Sequence, residues 1–257
     1  MSKIFKIVFS IFFSLQIFSQ AIIKVRVSDF PPNYYINEKG QWSGISVELA
    51  AAVIETAGLT PQFVEQPWSR AIANLKSGTI HYMANLSKTD DRSDFLYWIG
   101  PLRTEKMSLI VLNKNIKMKI NDLDDLIKAS RQYDTPFAYQ ADIFYSKAFK
   151  DKLENNTQFK KSFNQYYEID IVLKMILHER ILGFFESYQS MQYVINTNPR
   201  YKSLAVHPFT LRESPIYHGI SKTGVDEAVL VKLQQSFQLC RKNGTISKIL
   251  EKWNVKY

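Results

Sequence analysis

The chain has 257 residues, 46% of them hydrophobic, with 33 Lys and Arg against 24 Asp and Glu, a formal net charge of +9. That length supports a sizeable core, and the single cysteine, Cys240, excludes an internal disulfide and is expected to be a small core residue. The basic excess does not point to nucleic acid, because Lys114, Lys117, Lys119, Lys147, Lys150, Lys152, Lys160 and Lys161 are dispersed among acidic residues as solvated faces, with no Arg-Gly or RNP-like pattern.

Residues 1–21 read as a signal peptide. Lys3 and Lys6 make a basic start, 7–18 is an apolar core interrupted by Ser10, Ser14 and Gln16, and Ser19-Gln20-Ala21 fits a small-x-small site with cleavage after Ala21. The apolar run is shorter than the roughly 20 residues that span a bilayer. With no cysteine at the cleavage site to carry a lipid, the expected location is the periplasm, as a soluble protein.

The mature region opens with a β-branched alternating strand at 22–27, followed by the turning segment Phe30-Pro31-Pro32, Tyr34 and Tyr35, and a turn at Glu38-Lys39-Gly40. A helix over 46–57 carries Val47, Ala50, Ala51 and Ile54 on one face and stops at Gly58. A strand at 62–66, a helix at 70–77 stopped at Gly78 and a strand at 80–85 complete a β-α-β-α-β pattern, which predicts an α/β fold with a parallel sheet covered on both faces. Further along, strands are expected at 107–112, 136–139, 166–167, 181–185, 203–206 and 217–221, and helices at 122–129, 144–153, 169–178 and 191–197. Two helices close the chain, 226–242 stopped at Gly244, and 246–253 capped by Thr245.

The stretch from Pro67 to Arg92 carries the chemistry. Phe30, Trp68 and the polar residues Asn85 to Ser87 fall just after strand ends, where α/β sheets place ligands. Thr89 is an N-cap, and Asp90 and Asp91 suit the positive end of a helix dipole. Arg92 then falls near the third helical position, where a guanidinium can hold a carboxylate through two parallel hydrogen bonds. Arg70, at the same mouth, is a candidate second anion contact.

The four histidines, His81, His178, His207 and His218, make no metal-binding spacing, so no metal is expected. No Gly-x-Ser-x-Gly and no glycine-rich phosphate loop occurs, so neither a catalytic residue nor a cofactor is expected.

An ordered set of motifs resembles the bacterial extracellular solute-binding proteins of family 3, the periplasmic amino-acid-binding proteins of ABC importers. It comprises Phe30-Pro31-Pro32, Gly40-x-Trp42-x-Gly44, Trp68-Ser69-Arg70-Ala71, Leu75-Lys76-Ser77-Gly78, Thr89-x-x-Arg92, Gly100-Pro101 and Gly244-Thr245-x-x-Lys248-Ile249-x-x-Lys252-Trp253. The resemblance implies a two-lobed type II periplasmic-binding fold with two hinge crossings: lobe one over 22–111 and 208–257, lobe two over 112–207, and ligand between them. It implies that Arg92 holds the ligand carboxylate, that Asn85 and Ser87 add hydrogen bonds, and that Phe30 or Tyr34 packs on the ligand beside Trp68. In lobe two the family pattern is altered. Glu186 stands one position before the usual ammonium-binding acid, Ser187 occupies that place, and Ala141-Asp142 replaces the usual Gly-Ser/Thr pair. Asp142 and Glu186 are the lobe-two candidates. The implied partners are a small carboxylate or amino-acid ligand and an ABC permease or sensor protein, with the protein itself a monomer. A cyclohexadienyl-dehydratase-like enzyme, with Glu186 as general acid, is the catalytic alternative.

Overall fold

The computed structural model describes residues 21–255, so the expected signal peptide lies outside the described residues apart from Ala21. β1 (Ile22–Val27) runs into the Pro31-Pro32 turn and the small hairpin β2 (Tyr35–Ile36) and β3 (Trp42–Ser43). The turn at 38–40 closes where expected, with Gly40 N donating to Asn37 O. Gly44 then starts α1 (Ile45–Thr56) with φ 120°, and a Cβ there would lie 2.5 Å from Asn33 O. That close approach lets Ile45 N and Ser46 N donate to the carbonyls of Pro32 and Asn33, which ties the loop after β1 to the helix N-terminus.

β4 (Thr60–Glu65), α2 (Trp68–Ser77) and β5 (Tyr82–Ser87) follow, and β1 pairs in parallel with both β4 and β5. Thr89 caps α3 (Asp90–Ser93) by accepting from Arg92 N. β6 (Leu96–Leu112) is 17 residues long and leads to α4 (Leu123–Gln132), β7 (Phe137–Gln140), α5 (Lys147–Asn155), α6 (Thr157–Lys161) and β8 (Phe163–Tyr166). After them come α7 (Ile169–Leu177), β9 (Gly183–Ser187), α8 (Tyr188–Thr197), the 18-residue β10 (Leu204–Ser221), α9 (Glu227–Lys242) and α10 (Thr245–Lys252).

Among the described residues the main sheet has eight strands in the order β4-β1-β5-β10-β6-β9-β7-β8. The antiparallel pair β6 and β10 forms its middle and belongs to both halves. The Ser221 end of β10 pairs with β5 on one side and with the Leu96 end of β6 on the other, whereas Met107 to Val111 of β6 pair with β9. The sequence pattern gave only the outer parts of these strands. Pro101, Pro208 and Pro215 lie within these strands, and the ladder absorbs irregularity through register shifts between Val206 and Arg212 and between Ile216 and His218. A short helix, α6, was also absent from the expected elements, and α5 starts three residues later than the apolar pattern suggests, after the Ser146 cap.

The core is divided. One cluster joins Val25, Ile45, Val53, Tyr82, Leu233, Phe237 and Cys240, and a second joins Leu109, Leu126, Phe137, Phe149, Phe159 and Phe185. Each lies against its own half of the sheet, so the fold is an α/β protein of two lobes joined by the β6–β10 ribbon. A buried hydrogen bond also crosses between them, from Asn33 Nδ2 to Ser190 Oγ at 2.9 Å. Among the described residues, no helix is long and apolar enough to cross a membrane.

Candidate functional site

A cavity of about 450 Å³ opens between the two halves of the sheet. The carboxyl ends of the parallel strands β1 and β5 approach it from one side and those of β7 and β9 from the other, the position that strand polarity favours for ligands.

Of the nine residues singled out in the sequence, Phe30, Tyr34, Trp68, Asn85, Ser87, Arg92 and Glu186 line this cavity. Asp142 is exposed and is not among the lining residues, but its main-chain carbonyl accepts from two of them, Arg92 Nη2 at 2.9 Å and Trp68 Nε1 at 3.0 Å. Arg70 is exposed on α2 and is not among the lining residues.

Arg92 is buried, a consequence of the Thr89 cap, which turns α3 back toward the end of β5. Its Nη1 donates to Ser87 O at 3.0 Å, so two of its five N–H groups serve the protein and three are left for other acceptors. Burial lowers its pKa to about 10, with a further push from the Arg212 charge, opposed by Asp142 and Asp91. It remains a cation at neutral pH. The Trp68 ring lies under two guanidinium groups, those of Arg26 at 5.5 Å and Arg92 at 5.8 Å.

Asn85 takes a left-handed conformation at φ 65°, tolerated by its short polar side chain, and its Oδ1 accepts from Arg103 Nη2 at 2.8 Å. Tyr34 is 2% exposed and its hydroxyl donates to Ala84 O at 2.9 Å, so the ring is a wall whose polar end is already bonded. Phe30 packs with it against Val27 and Val47.

The sequence reading did not single out Arg26, Glu105 or Arg212, all of which line the cavity. Arg26 is buried near the carboxyl end of β1, unlike the exposed Lys24 two residues before it, and its Nε donates to Gln66 O at 3.0 Å. A charge at that place in a buried strand was the available signal. Glu105 and Arg212 sit on β6 and β10, in segments outside the strands expected from the sequence. Glu186, buried on β9, accepts from Ser187 N at 2.7 Å. Burial raises its pKa to about 7, helped by Glu105 and opposed by the Ser187 N–H and by Arg212. Asp29 and Asp170 line the mouth, and the Asp29 pKa is raised by partial burial and by the Asp170 charge. No cluster of His, Cys, Asp or Glu among the described residues could hold a metal ion.

Two lobes on a shared ribbon, with a buried arginine on the wall of the cavity between them, define the class of a two-lobed binding protein. Residues 23–256 match the model of the bacterial extracellular solute-binding proteins, family 3, and the chain belongs to that family. It is 23% identical over 235 residues to a probable histidine-binding protein of Neisseria gonorrhoeae, covering 89% of this chain and 81% of that one. Among solved structures it is similar to an ancestral arginine-binding protein bound to arginine, with TM-score 0.76, 19% identity and coverage of 91% and 98%. It is equally similar in fold to a histidine kinase sensor domain that resembles periplasmic binding proteins, with TM-score 0.75, 19% identity and coverage of 91% and 95%.

Proposed function

We propose that this protein is a non-catalytic periplasmic receptor that closes on one small amino acid and hands it to an ABC permease. The observation that carries this reading is Arg92, a buried cation on the cavity wall with three N–H groups available to a carboxylate. Trp68, Phe30 and Tyr34 exclude water around it, which strengthens the ion contact.

The mouth favours a basic side chain. Asp29 and Asp170 come from opposite sides of the cleft and repel one another, and a ligand cation between them removes that cost. Histidine and arginine, named for a relative and a similar structure, are the first amino acids to try.

Thermal unfolding of the mature protein against the standard L-amino acids tests the reading. Ligand at 100 times its dissociation constant adds about 2.7 kcal/mol, a shift of about 5 °C. A shift that disappears in Arg92→Ala supports the anchor, and a shift that survives the substitution overturns it. The sensing role of the similar kinase domain supplies the second reading. Stimulation of permease ATPase activity by the liganded protein separates the two.

A further inference from the structure

One guanidinium nitrogen holds two asparagine side chains. Arg103 lies on β6, within the interlobe ribbon, and is 3% exposed. Its Nη2 donates to Asn33 Oδ1 at 3.1 Å and to Asn85 Oδ1 at 2.8 Å. That nitrogen carries two hydrogens, so the two asparagine oxygens use both. Glu105 Oε1, at 3.8 Å from the same nitrogen, supplies the countercharge without a hydrogen bond. Asn33 is fully buried in the loop after β1, and Asn85 is half-buried on the cavity wall. Arg103 itself is not among the lining residues.

A guanidinium donates and never accepts. Each asparagine must therefore turn its oxygen toward Arg103 and its amide nitrogen away. The reverse orientation would set N–H against N–H and leave buried donors unmet. The two nitrogens then go to different places. Asn33 Nδ2 crosses to the other lobe and donates to Ser190 Oγ at 2.9 Å, while the Asn33 oxygen also accepts from Ser46 Oγ at 3.1 Å. That amide is fixed from three sides. Asn85 Nδ2 makes no hydrogen bond among the described residues, although the side chain borders the cavity. It is a donor already oriented and still unused.

We propose that Arg103 is a positioning residue that sets both amides: it presents Asn85 Nδ2 as a donor to the ligand, and through the same nitrogen it presents Asn33 Nδ2 to Ser190 on the opposite lobe. This rests on the amino-acid reading above and adds to it a residue that acts on the ligand without touching it. The presented amide takes an acceptor oxygen, and the carboxylate is the acceptor that every amino acid carries. Without Arg103 the Asn85 amide is free to turn its oxygen toward that anion, which is repulsive. Because both asparagines draw on one nitrogen, a displacement of either is felt by the other, which links the ligand wall to the contact between lobes.

A double-mutant cycle tests it, with the standard L-amino acids as probes and calorimetry as the readout. Asn85→Ala and Arg103→Met should each weaken binding about tenfold. The double variant should also be weakened about tenfold, because Arg103 has nothing left to act through once the Asn85 amide is gone. Additive losses, about a hundredfold in the double variant, overturn the positioning role and leave the amino-acid reading standing. Ser190→Ala leaves Arg103 and Asn85 in place and isolates the second amide. Its ligand-free radius of gyration should exceed that of the wild type, and an unchanged radius overturns the link between the lobes. A further readout needs no variant to fold: in the 15N-labelled wild-type protein, the side-chain amide signals of Asn85 should shift when an amino acid saturates the cavity. Signals that stay in place at saturation overturn the donor role of Asn85 and with it that of Arg103. A wild-type protein that binds none of the amino acids overturns the amino-acid reading itself, and this inference falls with it.

Discussion

Arg92 donates to the main-chain carbonyl of Asp142 at 2.9 Å, so the residue proposed above as the carboxylate anchor also ties one side of the cavity to the other. Trp68 Nε1 reaches the same oxygen at 3.0 Å. The two donors come from α3 and from the start of α2, and the acceptor sits just past β7 in a left-handed turn at φ 60°. On the proposed reading, closure and ligand capture therefore share atoms.

Trp68→Phe keeps a ring over the Arg26 and Arg92 guanidinium groups but removes the indole donor. One hydrogen bond of this kind contributes about 1 kcal/mol, so ligand affinity should fall about fivefold. Small-angle scattering of the ligand-free variant should give a larger radius of gyration than the wild type. An unchanged radius would show that the Asp142 contact does not hold the lobes together.

Gly44→Ala should destabilise the protein by about 2 kcal/mol or more, measured by urea unfolding. The added Cβ meets two main-chain carbonyls, Asn33 O at 2.5 Å and Pro32 O at 2.6 Å, and neither can rotate away as a side chain would. Because that loop carries Phe30 and Tyr34 into the cavity, amino-acid binding should weaken together with stability.

The stability of the ligand-free protein should depend on pH through two buried groups of opposite sign. His218 shares a hydrogen bond with the Tyr82 hydroxyl, and burial lowers its pKa from 6.5 to about 3. Below pH 6.5 the unfolded chain takes up a proton that the folded chain refuses, so this contribution is lost as pH falls from 6.5 toward 3. Glu186 is raised from 4.5 to about 7, so here the folded chain binds the extra proton, and its contribution is lost as pH rises from 4.5 through 7. Between pH 4.5 and 6.5 the two slopes offset. Urea unfolding should show a loss of stability on acidification in Glu186→Gln and a loss on raising pH in His218→Gln, each approaching about 1.4 kcal/mol per pH unit. Identical pH profiles for the two variants would refute the assignment.

What the sequence disclosed follows the range of its interactions. The Thr89 cap and the Gly78 stop are decided within four residues, so the placement of Arg92 beside the end of β5 could be reasoned from the chain alone. The parallel β1–β4–β5 unit followed from hydrophobic period and turn chemistry in the same way. β6 and β10 could not be read so. Their prolines argue locally for breaks, and the strands exist because each supplies the other with a ladder partner roughly a hundred residues away. Glu105 and Arg212 were hidden with them. Glu186 was visible only through a family pattern from which it is displaced by one residue, and Arg70, reasonable at the helix start, is exposed on α2 outside the lining.

The β6–β10 ribbon has a further meaning for how such a receptor can change. Arg103 and Glu105 lie on one strand of the pivot, Arg212 on the other, and Glu105 is within 3.8 Å of both arginines. Glu105 and Arg212 also line the cavity. On the proposed reading, a substitution at either one acts on the cavity wall and on the joint between the lobes at once, so a change of solute preference is expected to bring with it a changed preference between open and closed shapes.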